Sequence, residues 1–128
     1  MSQWWAEDER THTLPFNPIL TALIPEPRSL LHERINQRFL NMMEQGFLDE
    51  VRALRARGDL TEDMPSMRCV GYRQAWAFLE GAVDYDTFID KGQAATRQLA
   101  KRQMTWIRGM PEIQTFSKLD VNGLNQLL

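Results

Sequence analysis

Two short apolar segments near opposite ends of the chain constrain its fold most strongly. Residues 16–24 read FNPILTALI and residues 113–117 read IQTFS, and both patterns favour β-strands. The first segment is apolar on both faces, which is typical of a buried strand in a parallel sheet. Because two strands do not make a stable sheet alone, we expect them to belong to a larger sheet whose other strands lie outside these residues.

Helical periodicity fills most of the chain between the two predicted strands. Gly46 and Gly58 are suitable helix ends, and Asp84 is a suitable N-cap for a long helix that runs to about Arg108. The third helix is expected to be irregular near Gly71. The fold class is therefore mostly α, with helices predicted over residues 28–45, 47–57, 66–79, 85–108 and 120–128.

Charge is unevenly distributed along a chain whose formal net charge is only −2. Residues 1–65 hold 7 basic and 11 acidic side chains, whereas residues 66–109 hold 7 basic and 4 acidic ones. Lys91 to Gly109 carries five cations and no acid. Such a local cationic block is what an RNA or phosphate contact requires, although a solvated helix face has the same composition.

The composition indicates a packed, cytoplasmic protein. Apolar residues make up 43% of the chain and there are four tryptophans, which argues against disorder. The lone Cys69 cannot form an internal disulfide, so a reducing compartment is expected. No apolar run reaches the length of a membrane span, and residues 1–10 do not resemble a secretory signal, so no membrane partner is expected.

The sequence contains none of the short motifs that would make it a self-sufficient enzyme. It has no G-x-x-x-x-G-K-[ST] phosphate loop and no G-x-G-x-x-G string. His12 and His32 lack metal-ligand spacing with Cys69, and His32 fits an ordinary surface position on a helix. We therefore assign no catalytic residue and no metal ligand within the 128 residues.

Two cationic strings are the candidate functional segments. The first, Arg68-Cys69-Val70-Gly71-Tyr72-Arg73, combines two guanidinium groups with a glycine and a tyrosine that can stack or form a hydrogen bond. The second runs from Thr96 to Arg108 and interleaves cations with amides, hydroxyls and Trp106. Single-stranded RNA is recognised by such mixtures. Trp76 and Trp106 at helical spacing are, however, more often core residues than base-stacking platforms.

The same strings resemble hallmarks of one enzyme family, the tRNA dimethylallyltransferases, also called tRNA isopentenyltransferases. The resemblance rests on PSMRCVGYRQ at residues 65–74 and ATRQLAKRQMTW at residues 95–106, in the right order and spacing. It extends over about residues 14–116. It implies the C-terminal part of an α/β P-loop fold of the nucleoside-kinase type, in which both strands join the parent parallel sheet. Residues 1–13 would end a helical insertion domain, and residues 14–128 would belong to the transferase core.

What the resemblance implies about function is an expectation. The family transfers the dimethylallyl group of dimethylallyl diphosphate to N6 of adenine 37 in tRNA, with Mg²⁺ in the intact enzyme, which is expected to be a monomer. The family's phosphate loop and general base would precede this segment, so the chain alone is expected to be inactive and to bind no cofactor. The expected tRNA contacts are Arg68, Cys69, Val70, Gly71, Tyr72, Arg73, Lys101, Arg102, Gln103, Met104, Thr105, Trp106, Ile107 and Arg108, and Arg97 is expected near the channel or the diphosphate.

A different class of protein remains open as the alternative. A free-standing helical RNA-binding or interaction module without catalysis would fold cooperatively alone and would still select RNA. A part of a larger enzyme would instead be marginally stable by itself, because its strand edge and the tryptophan pair Trp4 and Trp5 would be exposed. A thermal melt separates these two hypotheses.

Overall fold

A computed structural model describes residues 15–117 and contains four helices and two short strands over that range. The predicted mostly α fold with a pair of strands is confirmed. In chain order the elements are β1 (Thr21–Leu23), α1 (Arg28–Glu44), α2 (Phe47–Ala56), α3 (Tyr72–Leu79), α4 (Tyr85–Arg108) and β2 (Gln114–Phe116). The segments 1–13 and 120–128, for which helical structure was expected, lie outside the described residues.

The core is an aromatic cluster at the meeting point of the helices. Phe88 of α4 is fully buried, and its ring centroid lies 5.7 Å from that of Phe39 in α1 and 5.3 Å from that of Phe78 in α3. Phe47 and Val51 of α2 complete the cluster. Burial of large aromatic surfaces is the main stabilising term for a helical unit of this size. The core therefore holds α4 against both α1 and α3.

The two strands pair in parallel, as the sequence predicts. Thr21 stands opposite Gln114 and Leu23 opposite Phe116, and the amide of Ile24 donates to the carbonyl of Phe116 at 2.7 Å. The first strand is shorter than predicted, because only Thr21–Leu23 form a strand. The side chains of Leu20 and Leu23 are exposed, as expected for a strand whose other sheet partners would lie outside these residues. Within residues 15–117 the sheet has only these two strands.

The third helix begins later than the sequence predicts. Residues 66–71 form a series of turns, and α3 starts at Tyr72 because Gly71 has a φ of 97°, which no α-helical residue can adopt.

The long helix α4 matches its prediction at both ends. The side chain of Asp84 accepts a hydrogen bond from the amide of Thr87 at 2.8 Å, which is the N-cap expected from the sequence. None of the four described helices is both long and apolar enough to cross a membrane.

Candidate nucleic-acid interface

The first cationic string forms a surface loop that is anchored by one buried methionine. Met67 is buried, and the amides of Met67 and Arg68 both donate to the carbonyl of Met64, at 2.9 and 3.0 Å. Arg68, Cys69 and Arg73 are exposed. The loop therefore directs its apolar side chain inward and its two guanidinium groups toward solvent, where they can meet a phosphate.

Gly71 forms the corner between this loop and α3. Its positive φ is accessible to glycine without strain, and its amide donates to Oε1 of Gln74 at 2.8 Å. A Cβ at this position would lie 3.4 Å from Cζ of Phe47, so the backbone packs closely on the ring. The positive φ and the close packing on Phe47 thus give a structural reason for a glycine at this point of the string.

Tyr72 is held by contacts within the chain. Its hydroxyl donates to Oε1 of Glu50 on α2, and its ring packs edge-on against Phe47 with centroids 5.4 Å apart. The hydrogen bond to Glu50, followed by partial desolvation, raises the pKa of the Tyr72 phenol above its usual 10.0. Of the two uses that the sequence allows for Tyr72, hydrogen bonding is the one observed, and its partner belongs to this chain.

The second string occupies the C-terminal half of α4 and exposes most of its polar side chains. Lys101, Arg102, Gln103, Thr105 and Arg108 are exposed, Ile107 is half-buried, and Met104 is buried with 8% of its surface accessible. Met104 therefore packs inside the protein and cannot reach an RNA without a rearrangement. The remaining polar and charged side chains form a solvent-facing surface with the composition of a single-strand binding site.

The two tryptophans at helical spacing have opposite environments. Trp76 is buried, and its Nε1 donates to Oε1 of Glu80 at 2.8 Å while the guanidinium of Arg55 lies 4.8 Å from its ring. Trp106 is 76% exposed. The expectation that both are core residues is thus correct for Trp76 and wrong for Trp106. An indole exposed to this extent beside cations is a suitable platform for an unstacked base.

Within residues 15–117, no acidic side chain pairs with the exposed cations of the two strings. The ion pairs there join Arg52 to Asp49 at 2.5 Å, Arg55 to Glu80 at 3.5 Å and Arg57 to Asp59 at 2.6 Å. No described acidic side chain pairs with the exposed cations of the strings, which are Arg68, Arg73, Lys101, Arg102 and Arg108. Within residues 15–117 these five cations are therefore not neutralised by ion pairs.

A small cavity brings the two strings together. Val70 and Gly71 of the first string and Thr96 and Leu99 of α4 line a cavity of about 150 Å³. Arg38 of α1 lines it as well. Sequence analysis did not place Arg38 in the site, although its helical position, one turn after Arg34, is visible in the sequence as a second cationic pair.

Two larger cavities adjoin this one at shared side chains. Leu99 also lines an open cavity of about 800 Å³ whose other lining residues on and after α4 include Arg102, Trp106 and Met110. Arg38 also lines a cavity of about 430 Å³ that includes Arg34. Leu99 of α4 and Arg38 of α1 are therefore the side chains at which neighbouring cavities meet.

Arg97 lies at the contact between α4 and α1. Its Nη1 donates to Oδ1 of Asn36 at 2.6 Å, and Nε2 of Gln93 donates to the carbonyl of the same asparagine at 3.3 Å. The side chain is half-buried, so Asn36 fixes its direction. The remaining guanidinium donors of Arg97 stay available to a ligand approaching this contact.

The described residues do not bring metal ligands together. Within residues 15–117 no three side chains of His, Cys, Asp or Glu converge on a point where a cation could sit. The side chains of residues 15–117 therefore do not offer a cluster that fits Mg²⁺.

The described residues form a helical unit with an exposed cationic surface and a parallel sheet of two strands. Comparisons with known proteins assign the family to which this unit belongs. A model of the family described as IPP transferase matches residues 1–110, so the chain belongs to that family of transferases. The family resemblance inferred from the two strings is thereby confirmed.

Solved structures with the same fold carry the same family name. The full-length tRNA isopentenylpyrophosphate transferase of Bacillus halodurans is 31% identical, with a TM-score of 0.77 over 95% of this chain and 40% of that one. The tRNA delta(2)-isopentenylpyrophosphate transferase of Staphylococcus epidermidis is 24% identical, with a TM-score of 0.73 over 99% of this chain and 41% of that one. The chain thus spans about two fifths of the length of these relatives.

Proposed function

We propose that this chain is the RNA-contacting part of a tRNA dimethylallyltransferase and that it binds the anticodon stem-loop. The observation that carries the proposal is the small cavity in which Val70 and Gly71 of one string meet Leu99 of the other, beside the larger cavity along α4 that Leu99 also lines. A single RNA strand lying across these cavities would contact both strings at once. Both the family membership and the unpaired state of the string cations within residues 15–117 support this placement.

Each exposed side chain of the two strings has a defined chemical task in this proposal. Arg68, Arg73, Lys101 and Arg108 bind phosphate oxygens, because guanidinium and ammonium groups form charge-assisted hydrogen bonds with them. The indole of Trp106 stacks on a base that has left the anticodon-loop stack. Other exposed members, Cys69, Arg102, Gln103 and Thr105, supply further polar contacts, whereas Met104 and Tyr72 support the surface from within.

The reaction proposed for the whole enzyme is a prenyl transfer. A C–N bond forms between N6 of adenine 37 and the dimethylallyl carbon, the C–O bond to diphosphate breaks, and the amine proton passes to a general base. Mg²⁺, when bound in the intact enzyme, would stabilise the negative charge that develops on the diphosphate. This chain's residues bind and orient the RNA so that the adenine reaches the reacting carbon. We propose a cytoplasmic, monomeric parent enzyme for this reaction.

The 128 residues are proposed to lack transferase activity by themselves. The sequence has no G-x-x-x-x-G-K-[ST] string to hold a diphosphate, and no described cluster of acids could hold its metal. Incubating the purified chain with dimethylallyl diphosphate, Mg²⁺ and an anticodon stem-loop should yield no prenylated adenine. Detection of that product by mass spectrometry would contradict this part of the proposal.

Binding can be tested directly with the purified chain. Fluorescence anisotropy with a labelled anticodon stem-loop should give saturable binding, with weaker binding to a blunt-ended RNA duplex that has the same total number of nucleotides. The duplex carries about the same phosphate charge but no unpaired bases, so weaker binding to it would indicate recognition of unstacked bases. Equal affinity for both RNAs would mean that the surface binds phosphate charge without recognising unstacked bases, and it would contradict the proposal.

A further inference from the structure

The helix α2 contacts the first string at Gly71 and Tyr72, where the chain passes from the loop into α3. Phe47 and Glu50 lie one turn apart on α2, and both face Tyr72, through the edge-on ring contact and the hydroxyl hydrogen bond. Phe47 also supports the backbone of Gly71. Neither α2 residue belongs to the strings that are proposed to touch RNA.

The loop between Met64 and Gly71 is anchored at its N-terminal end by Met67 and by the amides that bond to the Met64 carbonyl. Towards its C-terminal end, the Cys69 amide lies 3.4 Å from the Ser66 carbonyl and the Cys69 thiol 3.6 Å from the Pro65 carbonyl, both long contacts. The carbonyl of Cys69 accepts from the amide of Arg73 at 3.1 Å, which couples the loop to the first turn of α3. The position of α3, which begins at Tyr72, therefore fixes the C-terminal end of the loop.

The charge of Glu50 is unfavourable for RNA binding when it is considered alone. Its carboxylate is bonded to Tyr72, the residue that precedes Arg73, and a negative charge at that place repels a phosphate that approaches the arginine. A purely electrostatic account thus predicts that removing Glu50 strengthens RNA binding. A positioning account predicts the opposite, because the removal frees Tyr72 and the loop.

We propose that Glu50 is a positioning residue for RNA binding, which holds the loop of Arg68 through its hydrogen bond with Tyr72. The proposal rests on the proposed function, since it assigns the loop an RNA contact. It adds to the binding surface a carboxylate on α2 that need not touch the RNA. Glu50 strengthens RNA binding by holding the loop in place, although its negative charge alone would weaken that binding.

The test compares RNA affinity among five variants of the full chain, at a temperature where circular dichroism shows all of them folded. Glu50→Ala and Tyr72→Phe should each weaken binding of the anticodon stem-loop about fivefold, which corresponds to the loss of one ordinary hydrogen bond. The double variant should bind no more weakly than either single one, because both remove the same bond. Glu50→Gln keeps an acceptor for the phenol and should bind as well as wild type or better.

Asp49→Ala is the matched control for the charge. Asp49 precedes Glu50 on α2, is exposed and pairs with Arg52, so its removal deletes the same charge without touching Tyr72. This variant should bind at least as tightly as wild type. If Glu50→Ala behaves like Asp49→Ala, or if the losses of the single variants multiply in the double variant, the positioning role is refuted.

Amide hydrogen exchange separates failure of this inference from failure of the proposed function. The amides of residues 68–71 should exchange faster in Glu50→Ala than in wild type, and at the wild-type rate in Glu50→Gln. Unchanged exchange in Glu50→Ala would overturn the inference even if RNA binds. If the wild-type chain binds no RNA, the proposed function fails, and the assigned role of Glu50 in RNA binding falls with it.

Discussion

Gly92 of α4 lies directly against the ring of Phe39 of α1. A Cβ added at Gly92 would stand 2.1 Å from Cζ of Phe39, far inside van der Waals contact. Phe39 is itself buried against Phe88, so its ring cannot move away freely. The close approach of α1 and α4, which forms the floor under the second string, therefore depends on a residue without a side chain.

The change Gly92→Ala should destabilise the protein although it replaces glycine within a helix. Helix propensity alone would stabilise the variant by about 1 kcal/mol, whereas overpacking a core costs about 1–3 kcal/mol. We expect the overlap with Phe39 to dominate and the free energy of unfolding in urea to fall. In a Phe39→Leu background the same change should cost less, because the ring is gone. A rise in stability for Gly92→Ala in the wild-type background would contradict the observed packing.

Trp76 is buried and Trp106 is exposed, and this difference gives a second prediction. Trp76→Ala should lower the free energy of unfolding by about 3–5 kcal/mol, since it empties a buried site and removes the partner of Glu80. Trp106→Ala should change stability by less than about 0.5 kcal/mol, because its side chain is mostly in solvent. It should instead weaken binding of the anticodon stem-loop by about 1–3 kcal/mol if a base stacks on it. Urea melts and anisotropy on the same preparations measure both quantities.

A Trp106→Phe variant serves as the control for the loss of stacking. Phenylalanine keeps an aromatic face, so it should recover most of the affinity that alanine loses. If Trp106→Ala binds RNA as wild type does, the exposed indole has no part in recognition. If Trp106→Ala unfolds as readily as Trp76→Ala, the exposure described for Trp106 is wrong.

The bond between Tyr72 and Glu50 predicts a loss of stability at alkaline pH. The neutral phenol is the donor, and its pKa in the folded chain lies above the usual 10.0. A group with a raised folded-state pKa contributes its stability in full below the unfolded pKa, and that contribution disappears as the pH rises through the folded pKa. Unfolding free energies measured from neutral pH upward should fall in that alkaline window.

Phenolate absorbance can assign this alkaline transition to Tyr72. The chain has only two tyrosines, so a Tyr85→Phe variant leaves Tyr72 as the single phenol. Adding Glu50→Gln should lower the midpoint of its titration, because the repelling carboxylate is removed. An unchanged midpoint would mean that the pair does not form in solution.

Local signals explain which parts of the fold the sequence predicts well. The N-cap Asp84 and the end of α4 near Gly109 depend on residues within one helical turn, so they can be read from the sequence. The break at Gly71 is also local, but the sequence placed it inside a helix instead of before one. The short length of β1 could not be read from the apolar run at residues 16–24, because the extent of a strand depends on partner strands that would come from elsewhere.

The candidate site was less predictable because it is assembled from distant segments. Composition located both cationic strings, yet periodicity on α4 does not say which face α1 covers, and it therefore left open whether Trp106 lies in the core or on the surface. Arg38 meets Gly71 and Leu99 only after the helices pack. The Glu50–Tyr72 bond joins residues 22 positions apart, and no spacing rule within one helix predicts it.

The exposed cations of α4 give a prediction in the salt dependence of RNA binding. Each phosphate contact releases condensed counterions, so the slope of log K against log salt reports the number of such contacts, at about 0.7 per contact for single strands. Lys101→Ala and Arg108→Ala should each weaken binding and flatten this slope by about that amount. Arg52→Ala is the control, because Arg52 is equally exposed but pairs with Asp49 and lies outside both strings. If the slope stays at its wild-type value in both α4 variants, these cations are an ordinary solvated face and the RNA lies elsewhere.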